Sequence, residues 1–197
     1  MKANAVISYA LWGDDPKWVE GLEANVALAR EFYPGWEVSV CCSPGWLDKP
    51  LPDGCWKVRC QTDGWGLLFS RMFVAAGDRT WLIRDLDSRI TKREADAVAE
   101  WLDGPMAYHS MHDHEAHFWP LMGGMWGGRK PIHGLFRAMV EWPAKGGYMD
   151  DQRFLAKRVF PAIQDEVCHH SSIPLPWPWL PFQTPVADGE HHVGARI

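Results

Sequence analysis

The chain has 197 residues, 47% apolar and 23% charged. That is enough for one domain with a real core, and it excludes disordered, collagen-like and coiled-coil classes. Twenty Lys and Arg against 25 Asp and Glu give a net charge of −5, the wrong sign for holding nucleic acid by counterion release, so no nucleic-acid partner is expected. Residues 5–11 form an apolar run with a β-branched centre and predict a first strand. Gly13-Asp14-Asp15-Pro16 breaks it and offers an N-cap and a first-turn proline. A helix over 17–32 follows, with Trp18, Leu22, Val26, Ala29 and Phe32 at three-to-four spacing until Pro34-Gly35 stops it. Residues 36–41 and 56–59 read as strands, separated by a stretch whose three Pro and two Gly exclude regular structure. Gly64-Trp65-Gly66 opens a second helix over 67–76. Residues 80–84 predict a buried strand that runs straight into Asp85-Leu86-Asp87-Ser88-Arg89, and 92–102 is strongly helical. Farther on, 106–111 and 167–171 read as strands, 122–128 is Gly-rich and apolar, and 132–140 and 152–160 read as helices.

This alternation predicts an α/β fold, a single three-layer domain over residues 1–172 with a mainly parallel central sheet. Residues 173–197 form a Pro- and Trp-rich extension. Prolines alternate there with Leu and Trp, so it is expected to be extended and to pack on the domain. Cys41, Cys42, Cys55, Cys60 and Cys168 are an odd set without a CxxC pair and are expected as reduced, mostly buried thiols. No apolar run approaches the roughly 20 residues of a membrane span, and the start lacks the pattern of a signal peptide, so a cytoplasmic protein is expected. Thirteen Trp suit cores, interfaces and sugar-stacking platforms alike.

The densest chemistry lies in Asp85-Leu86-Asp87. In open α/β sheets ligands bind beyond the carboxyl ends of the strands. Two carboxylates one residue apart would there present oxygen donors on one side to a hard divalent cation; a solvated acidic turn is the plain alternative. A second concentration is His109, His112, His114 and His117. Its His112-x-His114-x-x-His117 spacing is similar to the start of the metallo-β-lactamase-like signature, but Ala116 stands where that pattern needs an Asp ligand. A zinc hydrolase built on this cluster is therefore a competing reading.

Taken together, the segments resemble the small bacterial and phage glycosyltransferases of GT-A type that carry a DxD motif. Gly66, Phe69, Arg71, Ile83, Arg84, Asp85, Asp87, Ser88 and Arg89 look like that family's helix, strand and metal motif. His112-Asp113-His114, His117, Trp119-Pro120 and Gly123-Gly124-Met125-Trp126-Gly127 resemble its next block, and Tyr148, Asp151-Gln152 and Phe154-Leu155 a later one. The resemblance implies a GT-A-like domain, a nucleotide-sugar donor, Mn2+ or Mg2+ on its diphosphate, and transfer to a hydroxyl of a glycan or other acceptor. It implies Asp85, Asp87 and a late histidine, His169 in preference to His170, as metal ligands. Arg71, Asp85, Asp87, Arg89 and Gln152 would contact the donor. Asp151 or Asp113 would be the base of an inverting reaction, whereas a retaining one needs none. A carbohydrate- or nucleotide-sugar-binding protein without turnover is the non-enzymatic alternative.

Overall fold

Burial along whole strands sets the architecture. In the computed structural model, which describes residues 4–143, 146–187, 189 and 191–197, strand β1 (Ala5–Leu11) is buried at every position. Such a strand must be covered on both faces. It pairs in parallel with β2 (Glu37–Cys42), which pairs in parallel with β3 (Cys55–Arg59). On its other side lies β4 (Thr80–Arg84), also parallel. Beyond β4 come β5 (Tyr108–His112), β6 (Met125–Gly128) and β7 (Val167–Ser171), giving the order β3-β2-β1-β4-β6-β5-β7.

The sheet is mainly parallel, as expected, but mixed, because β6 runs antiparallel to both β4 and β5. The chain passes from β5 to β6 without a helix, and an antiparallel return needs no crossover helix. Glycine makes that insertion possible: a Cβ on Gly127 or Gly128 would lie 2.6 Å from Leu82 or 2.4 Å from Trp81.

Helix α1 (Pro16–Phe32) starts as its sequence dictates, with the Asp15 carboxylate accepting from the Lys17 amide at 3.1 Å and proline in the first turn. The helix expected over 67–76 is a short α2 (Leu67–Ser70) that tightens into a 3₁₀ stretch, Arg71–Ala76. Helix α3 (Lys92–Asp103) is capped by Thr91, and α4 (Leu135–Glu141) is shorter than its apolar pattern. The helix expected over 152–160 is α5 (Asp150–Phe154), a π turn over Leu155–Val159, and α6 (Phe160–Ile163). Pro161 has no N–H to donate to the preceding turn, and the widened turn lies just ahead of it.

Side chains alternate across the sheet. Trp81 and Ile83 of β4 therefore join Phe69, Trp126, Leu135 and Phe154, while Leu82 joins Tyr9, Leu22, Val26 and Trp101. The sheet is thus the middle of three layers. The Pro- and Trp-rich segment lies along β7, with the Leu180 amide donating to the His169 carbonyl at 2.8 Å and the Ser171 amide to the Leu180 carbonyl at 2.9 Å. Trp177 packs on His169 and Phe160, and Phe182 lies under the Arg93 guanidinium at 4.1 Å. All five cysteines are free, and no helix among the described residues is long and apolar enough to cross a membrane.

Candidate functional site

The buried β4 strand ends at Arg84, and Asp85-Leu86-Asp87 follows in a loop at its carboxyl end. Several bonds fix that loop. Ser88 Oγ donates to the Asp85 carbonyl at 3.1 Å, and Asn25 of α1 donates to the Ser88 carbonyl at 2.8 Å while accepting from the Ile90 amide at 3.1 Å. Gly21 of α1 abuts the Leu86 carbonyl so closely that a Cβ would lie 2.1 Å from it. The Arg89 guanidinium donates to the Leu86 and Ser88 carbonyls, each at 3.0 Å. Arg89, expected at the donor, is placed under the loop as a staple and does not line the cleft described below.

Arg71 gathers the rest. It is 2% exposed, and a buried guanidinium requires partners. Its Nη1 donates to Asp85 Oδ1 and to the Arg84 carbonyl, and its Nη2 donates to Asp151 Oδ2 at 3.0 Å. Asp151 sits in the first turn of α5. Beside it the Gln152 side chain accepts from the Gly123 amide at 2.9 Å and donates to the Leu121 carbonyl. Gly123 and Gly124 are bare backbone beneath these groups: a Cβ on Gly124 would lie 2.0 Å from Asp85 Oδ2, and one on Gly123 would lie 3.2 Å from Asp151 Oδ2. Burial pushes the Asp151 carboxyl up in pKa against the pull of Arg71, with Asp85 adding to the rise. Burial, then the Asp85 charge, pushes Asp87 up as well.

These groups line one cleft of about 810 Å³, together with Trp12, Trp18, Trp65, Phe118, Trp119 and Tyr148. Trp18, Trp12, Trp65 and Tyr148 touch in series, with ring centroids 6.0, 5.7 and 5.1 Å apart. The same cleft is lined by His114, His117 and His192, the first and last stacked at 4.5 Å. Residues that no sequence pattern marks for this place include Trp65, His192 and Arg196. The last two lie in a segment without helical or strand periodicity.

Other expected site residues are placed elsewhere. Asp113 is held by both Arg93 Nε and Nη2, at 2.8 and 2.6 Å, and accepts from the Val193 amide at 2.9 Å. Burial raises the pKa of its carboxyl, but the Arg93 pair and the Val193 amide hold it below the usual range. A carboxylate so saturated is a structural ion pair rather than a base within reach of an acceptor. His169 points its Nδ1 at His112 Nε2, 3.1 Å away, and packs on Trp177. Burial pushes His169 down to about 3 and His112 to about 4. The sequence cluster is therefore divided: His109 and His112 lie within the sheet, and His114 and His117 in the cleft. The late histidine in the cleft is His192.

A divalent cation of the Mg2+ type is commonly held by one or two carboxylates plus substrate phosphates and water, not by a closed protein cage. Asp85 and Asp87 fit that pattern. Both line the cleft, and Asp85 Oδ2 has no hydrogen bond among the described residues. The zinc pattern needs three protein ligands, and among the described residues no three His, Cys, Asp or Glu converge to hold a metal.

No protein-family model and no curated protein matches the chain. Among solved structures it is similar to a glycosyltransferase involved in the glycosylation of the major capsid of PBCV-1, with TM-score 0.53 and 14% identity over 85% of this chain and 81% of that one. It also aligns with the mannosyltransferase PcManGT from Pyrobaculum calidifontis, in complex with GDP-Man and Mn2+, with TM-score 0.48 and 16% identity over 89% of this chain and 56% of that one. The first likeness shows a fold that a glycosyltransferase uses.

Proposed function

We propose that this protein is a GT-A type glycosyltransferase that moves a sugar from a nucleotide-sugar donor to an acceptor hydroxyl, with Mn2+ or Mg2+ held by Asp85 and Asp87. Its main support is the convergence of Asp85, Arg71 and Asp151, distant in sequence, in one cleft at the carboxyl end of β4. When bound, the cation supplies positive charge to the leaving diphosphate. The chain's own residues do the rest. Arg71 fixes the Asp85 and Asp151 carboxylates in one orientation, so neither must reorganise when a donor arrives. Gln152 holds the Gly123 amide and keeps the glycine floor in place. Asp151, with its proton affinity raised by burial, is suited to take the acceptor proton in an inverting reaction; in a retaining one it would orient a donor hydroxyl. The Trp12, Trp18 and Trp65 rings offer faces for a base or sugar ring.

Incubating the protein with UDP-, GDP- and dTDP-sugars and Mn2+ should release nucleoside diphosphate slowly by donor hydrolysis, and faster with an acceptor. A panel that gives neither hydrolysis nor binding would sink the proposal. Carbohydrate binding that survives EDTA, without turnover, would favour a binding protein instead.

A further inference from the structure

Residues 191–197 form one wall of the cleft, and three anchors hold them there. Val193 is fully buried and its amide donates to Asp113 Oδ2 at 2.9 Å, so the Arg93–Asp113 pair is a docking point for this strap. Gly194, at φ +78°, lies against Met125, where a Cβ would come within 2.1 Å of the sulfur. The Ile197 amide donates to the Asp87 carbonyl at 2.7 Å. Between these anchors Arg196 extends a side chain that is 71% exposed, with Nε 3.4 Å from Asp87 Oδ2.

The cations of the cleft are not equivalent. Arg71 is 2% exposed, and both its Nη atoms are committed to Asp85, Asp151 and a carbonyl. Lys17 pairs with Asp15 at 3.1 Å and lies over the Trp18 ring. Arg196 makes a long contact to Asp87 and a hydrogen-bonding contact to the Tyr148 side chain. A guanidinium has five N–H donors in a planar fork, so most of its capacity beside the metal motif is unspent. The strap is tied to the Asp87 carbonyl, not to its carboxylate, so the Arg196 side chain can leave Asp87 without undocking the backbone.

We propose that Arg196 is a diphosphate-binding residue of the donor site, one that rests on the Asp87 carboxylate and would pass to the phosphate oxygens were Asp87 engaged by a cation. The inference rests on the glycosyltransferase reading of the cleft. Its physical basis is competition. A cation on Asp87 would repel Arg196, whose exposed side chain is held there by a 3.4 Å contact, whereas Arg71 keeps its place on Asp85 through its further bonds to Asp151 and the Arg84 carbonyl; the diphosphate offers the displaced Arg196 an acceptor that matches its fork.

The test is to titrate Mn2+ alone, and UDP, GDP and dTDP in saturating Mn2+, into wild type, Arg196→Ala and Arg196→Gln. Both variants should bind Mn2+ alone more tightly, because a competitor for Asp87 is gone. Both should bind the preferred nucleoside diphosphate about 10- to 100-fold more weakly, the loss expected for charge-assisted hydrogen bonds. Arg196→Gln keeps most of the stem, so a loss that comes from packing would spare it. If wild type binds a nucleoside diphosphate and both variants bind it equally well, Arg196 has no such role and the cleft reading stands. The proposal is also overturned if Mn2+ and nucleotide affinities fall together. If wild type binds none of the three nucleotides, the reading of the cleft falls, and this inference with it.

Discussion

Arg71 is the residue on which the geometry of the site turns, because one guanidinium joins the carboxylate after β4 to the carboxylate of α5. Arg71→Ala would leave Asp151 buried beside Asp85 with no counter-charge. Breaking a buried pair costs about 3–5 kcal/mol, and the lower end applies here because the Asp85 side chain is 41% exposed and screened. Urea unfolding should therefore show a loss of about 3 kcal/mol for Arg71→Ala. Arg71→Lys should fall between the two, since an ammonium cannot span both carboxylates as a fork does. An unchanged midpoint for Arg71→Ala would mean that the bridge is absent in solution. Asp85 and Asp87 are legible in the sequence because charge follows an apolar run abruptly. Asp151 and Asp113 are indistinguishable there by residue type. What separates them is their partners, Arg71 at a distance of 80 residues and Arg93 at 20, and one sequence does not record which arginine meets which carboxylate.

Strands β5 and β7 carry a ladder of buried histidines, with His109 on His170 at 2.8 Å and His112 on His169 at 3.1 Å. Burial lowers all four, His112 to about 4 and His169 to about 3. In the unfolded chain each would titrate near ~6.5. Below that pH the unfolded state takes up protons that the native state refuses, so stability is complete above about 6.5 and falls as pH drops toward 4. Thermal unfolding followed from pH 7.5 to 4 should show a steadily declining midpoint; a flat profile would mean that these rings are not held neutral. At this scale the apolar pattern places β1 and β4 well, because burial on both faces leaves an unmistakable run, whereas β7, with two histidines and a serine among its five residues, carries none. The direction of β6 is not written in its residues, since Met125-Trp126-Gly127-Gly128 has the same composition run either way. The pitch change at Arg71 leaves the spacing of buried Leu67, Met72 and Ala75 looking helical.

For the whole molecule, the segment after Ser172 does two different jobs in the structure. Its first half adds backbone bonds to β7 and buries rings against the sheet edge; residues 191–197 complete the cleft. Removing everything after Ser172 should lower the melting temperature, because half-buried Trp177 and Phe182 lose part of the about 1.5–3 kcal/mol that a fully buried large side chain contributes. It should also weaken nucleoside-diphosphate binding, since Arg196 and His192 leave with it. Differential scanning calorimetry and nucleotide titration on the truncated chain check the two effects separately, and an unchanged melting curve would mean that the extension does not pack. Prolines and aromatic residues make the packing half legible as an extended, costly-to-expose segment. The cleft half has no such pattern, and only the fold reveals where it goes.

In the proposed reaction Asp85 and Asp87 hold a divalent cation for a nucleotide-sugar donor. Isothermal titration of UDP and GDP with Mn2+ into wild type, Asp85→Asn and Asp87→Asn tests it most directly, because each substitution keeps side-chain size and removes one negative charge from the cation site. Wild type should bind one of the two nucleotides in a Mn2+-dependent manner, with each variant weaker by about 10-fold or more and still folded. Equal affinities in all three proteins would mean that Asp85 and Asp87 hold no cation for the nucleotide.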